Sequence, residues 1–153
     1  MNLSPHFTLA EYLTTGHKGV PNEPDTEAIR RMSIHAHAFM ERARSILGVP
    51  LRVNSGYRSA ALNKAIGGAS KSQHMAGEAA DFVPVGVSAE DAMVRLVQAG
   101  KDGLLVYDQL IIYASGFIHG SYAADRENRM QALRSTANGG SGGPYLPYTG
   151  KTP

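Results

Sequence analysis

The chain has 153 residues, of which 42% are hydrophobic and 18% are charged, and its formal net charge is +2. This length fits one domain with a packed core, so the composition excludes a wholly disordered chain. The net charge is too small to predict nucleic-acid binding. The absence of cysteine excludes disulfides, thiolate metal sites and cysteine nucleophiles.

The amino-terminal residues contain neither a basic start nor an apolar run, so we expect no secretory signal peptide. No stretch reaches the roughly 20 apolar residues that a membrane span requires.

Two helices are expected in the first third of the chain. Thr8 and Glu11 match a capping box, which predicts a short helix from Leu9. Asp25 or Thr26 can cap a longer amphipathic helix that runs to about Leu47 and ends at the following Gly-Val-Pro. His35 and His37 lie two positions apart on this helix and therefore diverge, which favours core or surface roles over metal ligation.

The rest of the domain alternates strand and helix patterns at first and then becomes strand-rich. The predicted elements are a strand at Leu51–Asn54, a helix at Ser59–Ile66, a polar loop at Ala69–Gln73, a strand at Ala79–Val83, a helix from the Ser88 cap to Ala99, and strands at Leu104–Tyr107, Gln109–Tyr113 and Phe117–His119. The segment from Arg126 to Thr136 fits either a helix or an edge strand. This order predicts an α+β fold in which a mostly antiparallel sheet packs against the amino-terminal helices.

A change in composition divides the chain at residue 138. Residues 1–137 are expected to form the domain, and residues 138–153 an arm rich in glycine, proline and tyrosine. The glycine run is typical of a flexible linker. The Tyr145 to Tyr148 end can dock on its own domain, on a second copy or on another protein such as a virion component, or it can remain a loose tail.

Two histidines and one aspartate are the candidate metal ligands. His74 and Asp81 are seven residues apart, and His119 follows much later. Such a set can hold Zn²⁺ and leave one coordination position for water. The first two side chains can reach one ion only if the chain reverses, for which Gly77 is suited. The spacing by itself also fits structural roles, with Asp81 as a strand-end cap and His119 as a half-buried histidine.

Zinc chemistry needs further groups around the ion. Bound zinc lowers the pKa of water and polarises the substrate carbonyl, and a second cation can stabilise the oxyanion. Arg58, on a turn after a strand, is the candidate for that cation. A nearby carboxylate usually takes the proton of the water.

Ordered blocks of residues add to this pattern. They are Asn54–Ser59, Leu62–Gly68, Ser70, Ser72–His74, Gly77–Phe82, Tyr107–Ile111, Ile118–Tyr122 and Asn128–Arg129. Together they resemble the D-Ala-D-Ala carboxypeptidase family of zinc peptidases, and most closely its short single-domain members from bacteriophages and prophages. The resemblance covers roughly residues 7–133.

The resemblance implies a metallopeptidase-like α+β fold, one zinc ion, and the ligand set predicted above. It implies that Arg58 binds the substrate carbonyl or oxyanion and that Ser72 and Gln73, with Tyr57, line the cleft. The implied substrate is a peptidoglycan peptide, cut at a bond involving a D-amino acid as D,D-carboxypeptidases or L-alanyl-D-glutamate endopeptidases do. A protein of this kind is made in the host cytoplasm and acts at the bacterial cell wall, as an endolysin or as a virion-carried hydrolase.

One departure from the family pattern concerns the general base. Related phage sequences carry a glutamate directly after the Asp-Gln-Leu-Ile block, where this chain has Tyr113. No Asp or Glu lies between Asp108 and His119. Asp108 and Tyr113 are therefore the remaining catalytic candidates, although the resemblance favours a structural role for Asp108 and tyrosine is a poor base. The alternative function is a non-catalytic wall-binding or virion protein that retains the peptidase fold.

Overall fold

The computed structural model describes residues 1–137 and 142–151. In chain order the elements are β1 (Asn2–Ser4), β2 (Phe7–Thr8), α1 (Leu9–Tyr12), α2 (Thr26–His35), a π-helical segment (Ala36–Met40), α3 (Glu41–Leu47), β3 (Leu51–Ser55), α4 (Ala60–Ala65), α5 (Gln73–Ala76), β4 (Ala79–Pro84), α6 (Ala89–Lys101), β5 (Gln109–Ile112), β6 (Ile118–Ser121), β7 (Gln131–Ser135) and β8 (Tyr145–Pro147).

A six-stranded sheet forms the centre of the fold, with the strand order β3-β4-β6-β5-β7-β8. All neighbouring strands are antiparallel except β5 and β7, which run parallel. The predicted α+β fold with a mostly antiparallel sheet is therefore confirmed. The short β1–β2 ribbon was not predicted from the sequence.

The helix caps follow the sequence signals. The Thr8 hydroxyl accepts from the Glu11 amide at 3.2 Å, and the Glu11 carboxylate accepts from the Thr8 amide at 2.7 Å, which completes the capping box of α1. The Asp25 carboxylate caps α2. The long helix predicted from Asp25 to Leu47 contains the π-helical segment between α2 and α3, and it ends at Gly48 in the left-handed conformation.

One face of the sheet packs on the helices. The core residues on this face are Ala80, Phe82, Leu110, Ile112 and Ile118, and they share one buried cluster with Met32, Phe39, Leu47, Met93 and Leu96 of the helices. Strand alternation then directs the neighbouring residues to the opposite face. Asp81, His119 and Ile111 lie side by side in one row across β4, β6 and β5 on that second face.

The predicted strand at Leu104–Tyr107 is wrong. Leu105 and Tyr107 are buried while Leu104 is exposed, so the alternation is real, but this segment lies in no strand. The Leu104 amide donates to the carbonyl of Ala99, and the Tyr107 carbonyl accepts from the Met130 amide. Alternating burial alone does not supply the partner strand that a sheet requires.

The carboxyl-terminal segments add two strands to the sheet. The ambiguous stretch from Arg126 to Thr136 contains β7, and Tyr145–Pro147 forms β8 at the sheet edge. Residues 138–141 of the predicted linker lie outside the described residues. No helix in the described ranges is long and apolar enough to cross a membrane.

Candidate metal centre

A tight reversal of the chain brings the first two candidate ligands together. His74 lies on α5, whose amino terminus is capped by the Ser72 hydroxyl, rather than on an extended loop. Gly77 follows with φ +76°, and a Cβ there would lie 2.6 Å from the Ala28 carbonyl oxygen. Only glycine fits this conformation and this close approach. The chain then enters β4, which carries Asp81.

The three predicted ligands converge in a buried cluster. His74 Nε2 lies 3.2 Å from both His119 Nδ1 and the Asp81 carboxylate Oδ1, and His119 Nδ1 lies 2.9 Å from the same oxygen. Asp81 and His119 are directly opposite each other on β4 and β6. The ladder hydrogen bonds of the sheet therefore hold two of the three side chains in register.

The protonation states suit metal binding. His74 Nδ1 lies 2.6 Å from the Gly56 carbonyl oxygen, which can only accept, so this nitrogen carries the proton and the Nε2 lone pair faces the cluster. Burial lowers the pKa of His119, against the opposing effect of Asp81. Burial acts to raise the pKa of Asp81, but the two imidazoles outweigh it and hold that pKa well below its ordinary value.

The donor set fits a zinc ion. Ligand distances of roughly 2.0–2.2 Å at tetrahedral angles place donor atoms about 3.4 Å apart. The spacings of 2.9–3.2 Å between the three donor atoms need to widen only slightly. An ionised carboxylate and neutral imidazoles are also the forms that bind a metal.

Arg58 is placed as a cation next to the cluster. Its Nη2 lies 3.6 Å from Asp81 Oδ2, and the Ser55 hydroxyl and the Asn63 side-chain oxygen accept from its other nitrogens at 3.4 Å. Burial lowers the pKa of Arg58, with Asp81 opposing the shift. Arginine starts from so high a pKa that the guanidinium stays charged. The structure thus places Arg58 beside the candidate ligands, and its role at the substrate carbonyl stays a prediction.

Tyr113 directly follows β5 and lies near the cluster. It lies two residues beyond Ile111, which is opposite His119, and the electrostatic effects of Asp81 and Arg58 reach its hydroxyl. Burial raises the pKa of Tyr113 well above its ordinary value, and the Tyr145 hydroxyl adds to the shift. Tyr113 is therefore a neutral hydrogen-bonding group, and it cannot serve as a base at neutral pH.

Asp108 is placed in an ion-pair cluster of its own. Both of its oxygens accept hydrogen bonds from the guanidinium groups of Arg126 and Arg129, and Gln73 donates to Oδ2 at 3.0 Å. Burial acts to raise the pKa of Asp108, but the two arginines hold it well below its ordinary value. These contacts describe a structural carboxylate, which leaves no lone pair directed at a substrate water.

The remaining predicted cleft residues have mixed surroundings. Ser72 caps α5, and Gln73 links that helix to Asp108 while its side-chain oxygen is buried without a hydrogen-bond partner among the described residues. Tyr57 belongs to the buried core cluster, and burial raises its pKa, with a further contribution from Asp25. The substrate-binding roles of these three residues stay predictions.

The sequence left open that the Tyr145 to Tyr148 end docks on its own domain, but it did not identify the partners in two contacts of the site. The Tyr145 hydroxyl lies 3.3 Å from the Tyr113 hydroxyl. The guanidinium groups of Arg126 and Arg129 donate hydrogen bonds to the Asp108 carboxylate. The Asn128-Arg129 pair belongs to the resemblance blocks, so a signal for the second contact was present. Tyr145 is 32 residues from its partner and has no local signal.

Comparisons with known proteins agree with this arrangement. A family model described as Peptidase M15 matches residues 5–121. A search of curated proteins finds no significant match. The matched segment contains all three candidate ligands and Arg58, and it ends before β7 and β8.

Proposed function

The chain belongs to the M15 family of zinc peptidases, which resemble D-Ala-D-Ala carboxypeptidases, and from this premise we propose that it is a zinc-dependent peptidase that cleaves peptidoglycan peptides at a bond involving a D-amino acid. The single observation that carries the proposal is the convergence of His74, Asp81 and His119, with Arg58 beside them.

The ligands would be His74 Nε2, an Asp81 carboxylate oxygen and His119 Nδ1. When bound, zinc supplies Lewis acidity that polarises a carbonyl and makes water a stronger acid. The Gly56 carbonyl keeps His74 in the required tautomer, and β4 and β6 hold the other two ligands. The protein's own contribution to metal binding is therefore a preorganised, largely buried set of donors.

Arg58 is suited to hold the carbonyl oxygen of the scissile bond. Its guanidinium is anchored by Ser55 and Asn63, so the charge is already in place before a substrate arrives. Negative charge that develops on that oxygen is stabilised without reorganisation, which favours the transition state over the ground state. Tyr113, one row beyond His119 on the same face, adds a neutral hydroxyl instead of a carboxylate.

Proton transfer is where this site departs from its relatives. The buried carboxylates among the described residues are Asp81, Asp108 and Glu78. Asp81 belongs to the ligand set, Asp108 is held by two arginines, and Glu78 accepts from the Ala124 amide and lies 3.7 Å from Arg31. None of the three is directed at a substrate water. We therefore expect slower turnover than in a relative with a carboxylate at the position of Tyr113.

The decisive experiment is incubation of the zinc-loaded protein with purified peptidoglycan, followed by mass analysis of the released fragments. We expect new amine ends at one type of bond, and no such ends with the His74→Ala variant, which removes one ligand. Circular dichroism of the variant controls for folding. Zinc-loaded wild type that leaves every peptide bond intact would overturn the peptidase proposal.

None of the buried carboxylates in the described ranges is free to act as the general base, and this observation favours a second candidate function. In this proposal the protein binds peptidoglycan or a virion component without cleaving it. It predicts co-sedimentation with purified cell walls in the absence of turnover. Detection of new amine ends in the experiment above would exclude it.

For the place of action, we propose the bacterial cell wall, reached either during lysis or from within a virion. The resemblance to short phage and prophage members supports this proposal. Immunodetection of the protein in purified particles and in lysates separates the two routes.

A further inference from the structure

The strands β7 and β8 extend the site-bearing sheet beyond the segment that the family model matches. The match ends at residue 121, whereas β7 pairs with β5, and β8 pairs with β7. The register places Leu133 beside Ile111 and Pro147 beside Leu133. The row that contains Asp81 and His119 therefore continues onto elements that the matched segment does not include.

The next row along this face carries two tyrosines in contact. Tyr145 lies opposite Ser135 on β7, and its hydroxyl is 3.3 Å from the hydroxyl of Tyr113. The two rings meet edge to face, with centroids 6.4 Å apart and planes at 87°. Phe117 stacks on Tyr113 at 4.4 Å and 11°. Tyr113 is thus held by one ring on its face and by a second ring from β8.

This pair of tyrosines lies one row beyond the candidate ligands on the same face of the sheet, toward β5 and β8 rather than β3. Arg58 follows β3, whose Ser55 lies opposite Asp81, while Tyr113 and Tyr145 belong to the β5–β8 side of His119. Tyr113 is buried, whereas 41% of Tyr145 is exposed, so a ligand can contact Tyr145 from the solvent side. A peptide that extends from the metal centre toward the β5–β8 part of the sheet would meet this hydroxyl pair.

The chemistry of the pair restricts what it can bind. One hydroxyl proton is used within the pair, so the second remains to be donated to a third group. None of the described residues on this face of β5, β7 and β8, or Tyr113 directly after β5, is charged; the strand residues are Gln109, Ile111, Gln131, Leu133, Ser135, Tyr145 and Pro147. A carboxylate bound there would lose water and find no cation on these strands, whereas a peptide carbonyl needs only the one donor.

We propose that Tyr145 and Tyr113 form a substrate subsite in which a tyrosine hydroxyl donates a hydrogen bond to a neutral backbone carbonyl of the peptide, on the β5–β8 side of the scissile bond. Tyr145 is accordingly a specificity-determining residue that lies outside the family-matched segment. The inference rests on the proposed peptidase function and deepens it, because it assigns how the substrate is held beyond the metal centre.

The test compares the zinc-loaded wild type with Tyr145→Phe, which removes the hydroxyl and keeps the ring. Leu146→Ala is the matched control, since Leu146 is the next residue of β8, lies opposite Arg134 and is 56% exposed. For each protein, zinc affinity is measured by chelator competition, the affinity for a peptidoglycan stem peptide by calorimetry, and KM and kcat separately.

We expect Tyr145→Phe to weaken peptide affinity and raise KM by about three- to tenfold, the loss of one neutral hydrogen bond. Zinc affinity should be unchanged, and Leu146→Ala should match wild type in all measurements. A series of stem peptides, each with one backbone carbonyl replaced by methylene, identifies the carbonyl that is bound. The peptide that lacks this carbonyl should bind wild type and Tyr145→Phe with equal affinity, because it has no hydrogen bond to lose.

Two outcomes overturn the subsite. One is a Tyr145→Phe protein whose peptide affinity and KM stay within twofold of wild type, and the other is an equal loss in Leu146→Ala. In both cases an active wild type leaves the peptidase proposal intact. If the zinc-loaded wild type neither binds nor cleaves stem peptides, the proposed function is overturned. The subsite proposal, which depends on that function, is then overturned as well.

Discussion

Asp81 and Asp108 are both buried carboxylates at the central sheet, but their partners differ in kind. Asp81 faces two imidazoles, with one guanidinium 3.6 Å away, whereas Asp108 accepts hydrogen bonds from two arginines and a glutamine. Imidazoles can exchange a hydrogen bond for a metal bond, but guanidiniums cannot. This difference makes Asp81 a carboxylate that can bind a metal ion and Asp108 one that links separate parts of the fold.

The largest effect should follow from Asp81→Asn. An amide cannot replace a charged ligand, so zinc affinity should fall by more than the roughly 10–100-fold loss that is typical of outer partners of a metal site. Chelator competition measures the change. Asp108→Asn is the matched control and should bind zinc like wild type. Equal loss in the two variants would show that Asp108 also belongs to the metal centre.

The second effect concerns stability, and here Asp108 rather than Asp81 is the residue whose replacement is tested. Asp108→Asn leaves Arg126 and Arg129 without a countercharge, which should lower the free energy of unfolding by about 1–3 kcal/mol. The side chains of Arg126 and Arg129 are 49% and 50% exposed, so solvent screens their charges. This screening sets the lower end of the expected range. Urea denaturation of the metal-free protein measures the loss.

The control for this stability measurement is Asp125→Asn. Asp125 pairs with Arg30 and Arg31 at the surface, and its side chain is 52% exposed. Its replacement should cost less than about 1 kcal/mol. An Asp108→Asn protein no less stable than Asp125→Asn would refute the structural assignment of Asp108.

The third effect follows because neither aspartate is free to act as a base. Tyr113→Glu restores a carboxylate beside the cluster, and a positioned general base is worth roughly 10²–10⁴-fold. We expect at least a tenfold gain in kcat on a stem peptide, less than the full amount because the surrounding residues are adapted to tyrosine. Tyr113→Gln, which is similar in size but cannot accept a proton at neutral pH, should show no gain. Equal rates for the two variants would contradict the missing-base interpretation.

The smallest effect is a loss of stability on acidification, which begins at a higher pH than the titration of either aspartate. His35 is buried, its Nε2 donates to the Gly120 carbonyl at 3.0 Å, and its Nδ1 accepts from the Tyr12 hydroxyl at 2.7 Å. Burial lowers the pKa of His35 to about 3. The unfolded chain, with a histidine pKa of about 6.5, binds the proton first, so stability is lost as the pH falls below that value.

Between pH 7 and pH 5 this difference should lower the free energy of unfolding of the metal-free protein by about 1–2 kcal/mol. The pKa values of both aspartates are held low, so their contribution is lost only below about pH 4. The His35→Gln variant should show a flatter dependence over the same interval, by urea denaturation. A slope equal to that of wild type would assign the effect to other histidines.

Local signals in the sequence predicted most of the fold. Thr8 and Ser88 cap the helices expected from them, and Asp25 rather than Thr26 caps α2, because a cap acts on amide groups within three residues. The predicted strand at Leu104–Tyr107 was wrong because burial there comes from packing without strand pairing. The strand at Gln131–Ser135 depends on β5 and β8, which are distant in the chain, whereas the β1–β2 ribbon is a local hairpin whose two short strands gave no clear sequence pattern.

The sequence by itself determined the helix starts, the α+β class and the three candidate ligands, since residue types, caps and ordered motifs are local properties. Only the tertiary structure decided which groups act together. The register of β4 against β6 brings Asp81 to His119, and the pairing of β8 with β7 brings Tyr145 to Tyr113. It also commits Asp108 to two arginines. Such contacts join residues far apart in the chain, and strand register rather than local propensity sets their distances.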